Sequence, residues 1–189
     1  MDEFNYLSVL VSIILGLGIT QLLTGIGRLL QNRDRVKLYW PTIASVLILL
    51  VVHVLVWWTL FELRAESEWT FPGFLAVLLL PILLYLLSAL ALPDFGDAVA
   101  DDLRQHYYAN SRWFFSLWFL LVGASFLHEL MLDGGIDRDL DTAMKVGFMA
   151  LFATAAITRR ARFHEVLVSV NFVLIAVYIG TLFTHLPGR

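Results

Sequence analysis

Cysteine is absent from this chain of 189 residues. Disulfide bonds, thiolate nucleophiles and cysteine-ligated metal sites are therefore excluded. Charged residues are scarce, at 15% of the chain, and no basic tail or cluster of the kind that binds nucleic acid occurs. There is also no Gly-rich phosphate loop, no HExxH motif and no nucleophile-plus-base motif, so catalysis of the soluble-enzyme type is not indicated.

Apolar sequence is what the chain has in excess. Hydrophobic residues make up 59% of it, and the mean hydropathy is +0.78. Six continuously apolar runs are long enough to cross a ~30 Å hydrocarbon core as helices, and none shows the two-residue alternation of membrane β-strands. The sequence therefore predicts an all-α, polytopic integral membrane protein. Its single domain covers residues 1–189, with spans at about 6–30, 38–63, 71–92, 113–132, 142–158 and 166–186.

The first run is expected to be a retained span rather than a cleaved signal peptide. No Lys or Arg precedes it. It extends from Tyr6 to Leu30, well beyond the roughly 7–15 apolar residues of a signal peptide.

Basic residues are distributed unevenly between the two sides of the predicted bundle. Nine of the 13 Lys and Arg residues lie on the side of the first, third and fifth connections: Arg28, Arg33, Arg35, Lys37, Arg104, Arg112, Arg159, Arg160 and Arg162. The other side holds Arg64, Arg138, Lys145 and Arg189 among many acidic residues, which include Asp141. The positive-inside rule assigns the basic side to the cytoplasm, so both termini are expected outside, in a bacterial inner (plasma) membrane.

The spans differ in the surface that they present. The third span is bulky and almost without polar residues, which predicts contact with lipid, and Pro81 in its middle predicts a kink. In the first span, small residues recur at every fourth position: Ser8, Ser12, Gly16, Thr20 and Thr24. Such a small-residue stripe lets another backbone approach closely. The first span and the Ala- and Gly-rich fifth span are therefore candidates for the protein interior or for an oligomer interface.

The longest polar connection runs from about Pro93 to Arg112. Asp97, Asp101 and Asp102 crowd a position where a helix could begin, since the helix dipole favours negative charge there. We expect a short helix that lies on the membrane surface or runs directly into the fourth span. This connection could also bind a partner protein.

Polar groups inside the bilayer are the expected functional residues, because each is costly unless it has a partner. Gln21 and Asn171 are expected at similar depths, where an interhelical hydrogen bond is possible. Arg28 is expected to extend towards the inner headgroups.

Two histidines form a second set of intramembrane polar residues. His53 and His128 occupy equivalent positions in the second and fourth spans, both ~22 Å from the cytoplasmic boundary, and Glu129 adjoins one of them. Two level imidazoles could ligate haem, bind a metal with Glu129 or relay protons. Hydrogen-bonded histidines in a polar cavity are the main expectation, and no cofactor is predicted.

Three functions are compatible with these residues. The first is a homo-oligomeric channel or transporter for ions or small solutes, with the first span near the pathway. The second is a haem-binding redox protein that uses His53 and His128. The third is a non-conducting sensor or assembly factor. The sequence favours the first of these functions. The expected partners are the lipid bilayer and further copies of the chain, and no nucleic acid is expected to bind.

Overall fold

The computed structural model describes residues 3–60, 62–65, 69–95, 102–132, 135 and 139–182. Its six long helices are α1 (Glu3–Gln31), α2 (Trp40–Thr59), α3 (Phe71–Ala91), α4 (Leu103–Leu132), α5 (Leu140–Ile157) and α6 (Ala161–Leu182). Each of the six is long and apolar enough to cross a membrane. The prediction of an all-α protein with six spans is therefore confirmed.

The helix starts follow from local chemistry. Pro41 and Pro72 lie in the first turns of α2 and α3, where the missing N–H costs no hydrogen bond. Asp102 accepts hydrogen bonds from the first free amides of α4. Asp139 caps α5 by accepting from the amide of Thr142 at 2.9 Å, and this bond holds the pKa of Asp139 below its usual range.

The fourth helix extends well beyond the predicted span. It begins at Leu103, so the second half of the polar connection runs straight into the membrane as one helix. The amide of Leu103 donates to the carbonyl of Lys37 at 3.1 Å, which joins this first turn to the segment before α2. Asp97 and Asp101, which were expected near the helix start, lie outside the described residues.

The third helix is the centre of the bundle. It packs against α1, α2 and α4. In its most apolar stretch of 18 residues, 50% of the residues are buried, which is the largest share among the six helices. The expectation that the third span faces lipid is therefore wrong. A helix that is apolar all round suits a protein core as well as it suits lipid.

The first and fifth helices lie at the periphery. α1 contacts the bundle through Leu7, Val11, Leu15, Leu22 and Leu29, all of them buried. Within the small-residue stripe, Ser8, Ser12 and Gly16 are half-buried beside this contact face, and Thr20 and Thr24 are exposed. α1 and α5 share no substantial interface among the described residues. Both locations expected for the stripe, the protein interior and an oligomer interface, stay predictions.

The bundle has two ends of different charge. The end that holds the α1–α2 and α5–α6 turns carries the basic residues named above, and we call it the basic end; the opposite end is the acidic end. At the basic end, the hydroxyls of Tyr39 and Tyr108 lie 3.0 Å apart. The hydroxyl of Tyr107 lies 3.2 Å from Nδ1 of His164. Nε2 of His164 donates to the carbonyl of Thr158 at 2.6 Å. This network fastens α4 to α6 and to the segment that leads into α2.

Candidate functional site

His53 is completely buried where α1, α2 and α3 meet. Its Nδ1 atom lies 2.7 Å from the carbonyl oxygen of Leu49, one turn earlier on α2. Its Nε2 atom lies 3.3 Å from Oγ of Ser88 on α3. Because a carbonyl can only accept, Nδ1 carries a hydrogen in this arrangement. Gly18 of α1 covers the ring, and a Cβ atom there would overlap Nε2.

The imidazole lies nearer to the basic end than the sequence predicted. The expected depth of ~22 Å was that of the His53 backbone. Helical side chains point towards the helix N-terminus, and this ring hydrogen-bonds to Leu49. Leu49, four residues before His53, lies ~6 Å nearer to the basic end at 1.5 Å per residue. The ring is therefore within reach of Ser88, which lies close to the C-terminal end of α3.

A polar crevice between α1 and α3 extends from the basic end to Ser88. Its volume is about 110 Å³, and Gln21, Thr24, Arg28 and Asp94 contribute to its wall together with Ser88. That volume accommodates several water molecules. At its mouth, Nη1 of Arg28 lies 3.2 Å from Oδ1 of Asp94, and both side chains are exposed. The Arg28 side chain thus extends to the basic end of the bundle, in the direction expected from the sequence.

The predicted hydrogen bond between Gln21 and Asn171 is wrong. Gln21 lies on α1 beside the crevice, whereas Asn171 is buried among α2, α4 and α6. Asn171 borders a separate cavity of about 10 Å³, which also has Ser45 in its wall and is large enough for about one water. Its Oδ1 atom has no hydrogen-bond partner among the described residues. The two side chains can be level in the membrane and still lie at different helix interfaces.

His53 and His128 belong to helices that hardly meet. His128 is on α4, whose main neighbours are α3 and α5, and α2 approaches α4 at only a few positions. Both ring nitrogens of His53 already have protein partners, so axial ligation of haem would require breaking one of those hydrogen bonds. Among the described residues, no group of three or more His, Asp or Glu side chains is placed to hold a metal ion.

An ionic cluster near the acidic end was not identified from the sequence. Lys145 of α5 forms ion pairs with Asp141 of the same helix and with Glu129 of α4. Tyr178 of α6 donates to Oδ1 of Asp141 at 2.7 Å. The three charged side chains are only 13–22% exposed. The four-residue spacing of Asp141 and Lys145 was the available signal, but both had been counted only in the charge balance of the outer side.

Comparison with protein-family models, with curated proteins and with solved structures finds no match to this chain. The six apolar helices define a multi-pass membrane protein whose outer surface contacts the lipid bilayer.

Proposed function

We propose that the protein is a homo-oligomeric channel or transporter for ions or small polar solutes, with α1 between copies and close to the pathway. One observation carries the proposal: the described helices leave the middle of the small-residue stripe on α1 uncovered. A Cβ atom on Gly16, at the middle of the stripe, would meet nothing within 4 Å. Among the described residues nothing packs against this part of the stripe, so a second copy could approach it closely.

The position of Gln21 supports the same proposal. Its side chain is exposed and lies ~15 Å from the end of α1 at 1.5 Å per residue, near the middle of a ~30 Å core. It also lies in the wall of the polar crevice, whose water can hydrate the amide. A polar group and water beside α1 near the middle of the bilayer are what a pathway close to this helix requires.

We further propose that the basic end faces the cytoplasm of a bacterial cell, with both termini outside. The charge distribution supports this orientation, because the connections at the basic end carry most of the Lys and Arg residues. In this orientation the crevice that leads to Ser88 opens on the cytoplasmic side.

The test combines oligomeric mass and flux for the wild type and for Gly16→Leu. The mass is measured in lipid nanodiscs, and ion flux is measured in reconstituted vesicles. If the stripe is a packed seam, Leu cannot be absorbed and the oligomer dissociates while each copy stays folded. If the stripe lines a pore, the oligomer persists while flux falls.

Gly123→Leu is the matched control, because Gly123 of α4 also has open space at its Cβ position but lies on another helix. It should change neither the mass nor the flux. A wild-type protein that is monomeric in nanodiscs and passes no ion or small solute under any gradient would remove the proposal.

A further inference from the structure

We infer that His53 and Ser88 form a proton-binding site that exchanges protons with water at the basic end through the crevice between α1 and α3. This inference goes beyond the channel or transporter proposal and does not depend on oligomer formation, because all of its residues belong to one copy. It rests on the hydrogen-bond geometry around the ring and on the crevice that ends at Ser88.

The hydrogen bonds around His53 can accommodate either protonation state. Oγ of Ser88 lies 3.3 Å from Nε2 of His53 and 2.9 Å from the carbonyl oxygen of Leu84. When the ring is neutral, Nδ1 donates to Leu49, and the single hydroxyl hydrogen of Ser88 is shared between Nε2 and Leu84. When Nε2 is also protonated, it donates to Oγ, and Ser88 donates to Leu84. Every donor then has an acceptor, and only hydrogen atoms change position between the two protonation states.

The crevice gives this buried site a route to water. Ser88 is part of the crevice wall, and His53 lies directly behind it. A hydronium ion in the crevice can transfer a proton to Oγ while the hydroxyl hydrogen of Ser88 passes to Nε2. The products are a water molecule and an imidazolium, so atoms and charge balance.

Among the described residues, the charged groups that line the crevice lie at its mouth. Arg28 of α1 and Asp94, just after α3, form an ion pair there. α2 carries no titratable side chain other than His53, and Tyr85 of α3 is exposed. The described partners of the ring are the carbonyl of Leu49 and the hydroxyl of Ser88, both neutral, so an added proton is stabilised by these two groups and by water in the crevice.

The first test is a pH titration of the full-length protein in nanodiscs, with ¹⁵N-labelled histidine observed by NMR and His53→Gln used to assign the His53 signals. We expect the signals of both ring nitrogens of His53 to shift reversibly as the pH is lowered, within the pH values at which the protein stays folded. A ring that keeps one protonation state over all pH values at which the protein stays folded overturns the inference.

The second test follows the exchange of the His53 ring hydrogens with water. Ser88→Ala should slow this exchange about tenfold, as expected when one hydrogen bond is lost from the transfer path, and Ser88→Thr should restore it. Ser169→Ala is the matched control, because Ser169 also donates to a carbonyl one turn earlier but is exposed on α6. An unchanged rate in Ser88→Ala contradicts the relay.

A variant of the crevice tests the route when Ser88 itself is intact. Thr24→Trp should fill the crevice and slow exchange, since Thr24 is part of its wall. If Ser88→Ala does not fold, the Thr24→Trp variant alone tests the route. Exchange of the His53 ring hydrogens at the wild-type rate in Thr24→Trp overturns the route through the crevice.

Discussion

Gly18 of α1 and His53 of α2 pack so closely that a Cβ atom on Gly18 would overlap Nε2 of the ring. Gly16, on the same helix, would place its Cβ atom in open space. Two glycines two residues apart in one transmembrane helix thus have different roles. Gly18 makes room for a buried polar side chain, whereas none of the described residues covers the Cβ position of Gly16.

Alanine substitution should distinguish these two glycines. Gly18→Ala should lower the free energy of unfolding by about 1–3 kcal/mol, because the imidazole and its hydrogen bond to Ser88 must shift. Gly16→Ala should leave it unchanged or raise it by up to about 1 kcal/mol, since Ala has the higher helix propensity. Unfolding of the detergent-solubilised protein by denaturant measures both. Equal losses for the two variants would contradict the packing described here.

The ionic cluster at Lys145 should contribute to stability. Lys145→Met leaves Glu129 and Asp141 close together without their cation. Removal of one partner from a fully buried pair costs about 3–5 kcal/mol, and the partial exposure of this cluster reduces the expected loss to about 2 kcal/mol. Thermal unfolding in detergent measures the loss.

Lys37→Met provides the comparison for that experiment. Lys37 lies 4.0 Å from Asp102, but its side chain is 74% exposed. An exposed pair contributes at most about 1 kcal/mol, so this variant should unfold close to the wild-type temperature. If both Lys variants behave alike, the cluster at Lys145 is open to solvent.

Asn171 should tolerate an apolar replacement. Its Oδ1 atom is buried without a hydrogen-bond partner among the described residues, and an unsatisfied buried polar group costs about 1–3 kcal/mol. Asn171→Leu, of similar size, should therefore retain or increase the free energy of unfolding. His53→Leu is the contrast, because it breaks a hydrogen-bonded network and should destabilise the protein. Equal destabilisation by both variants would show that water in the adjacent cavity satisfies Asn171.

The absence of native cysteine makes the proposed orientation straightforward to test. Asp34→Cys and Gln105→Cys place a thiol at exposed positions of the basic end, and Arg64→Cys and Gly135→Cys do so at the acidic end. With the basic end in the cytoplasm, a membrane-impermeant maleimide added to intact cells should label only the acidic-end variants. The opposite pattern would reverse the orientation and place the crevice mouth outside.

The number of helices and their approximate limits could be predicted from the sequence because the bilayer imposes them. Hydrocarbon contains no water to satisfy backbone groups, so each apolar run of sufficient length must form a helix. The direction in which each helix faces was harder to predict. Lipid and protein core are equally apolar, and the Leu-rich sequence of α3 therefore carries no signal that separates a central helix from a lipid-facing one.

The candidate site could be predicted only in part. The sequence identified His53 as an intramembrane polar residue, but its partner Ser88 lies on α3, which had been assigned to lipid. Residue depth placed Gln21 level with Asn171, but depth along the membrane does not reveal which helices are neighbours. Lys145 was counted only with the charges of the outer side because it lies close to the start of α5.

The length of α4 has a mechanical consequence. Its 30 residues extend ~45 Å, about 15 Å more than a hydrocarbon core. Its first turn is hydrogen-bonded to Lys37 at the basic end, and Glu129, near its last turn, is paired with Lys145. The helix is thus a continuous rod that is anchored on both sides of the bilayer. Because the helix is continuous, we expect a tilt of its protruding end to move Glu129 relative to Lys145 at the other end.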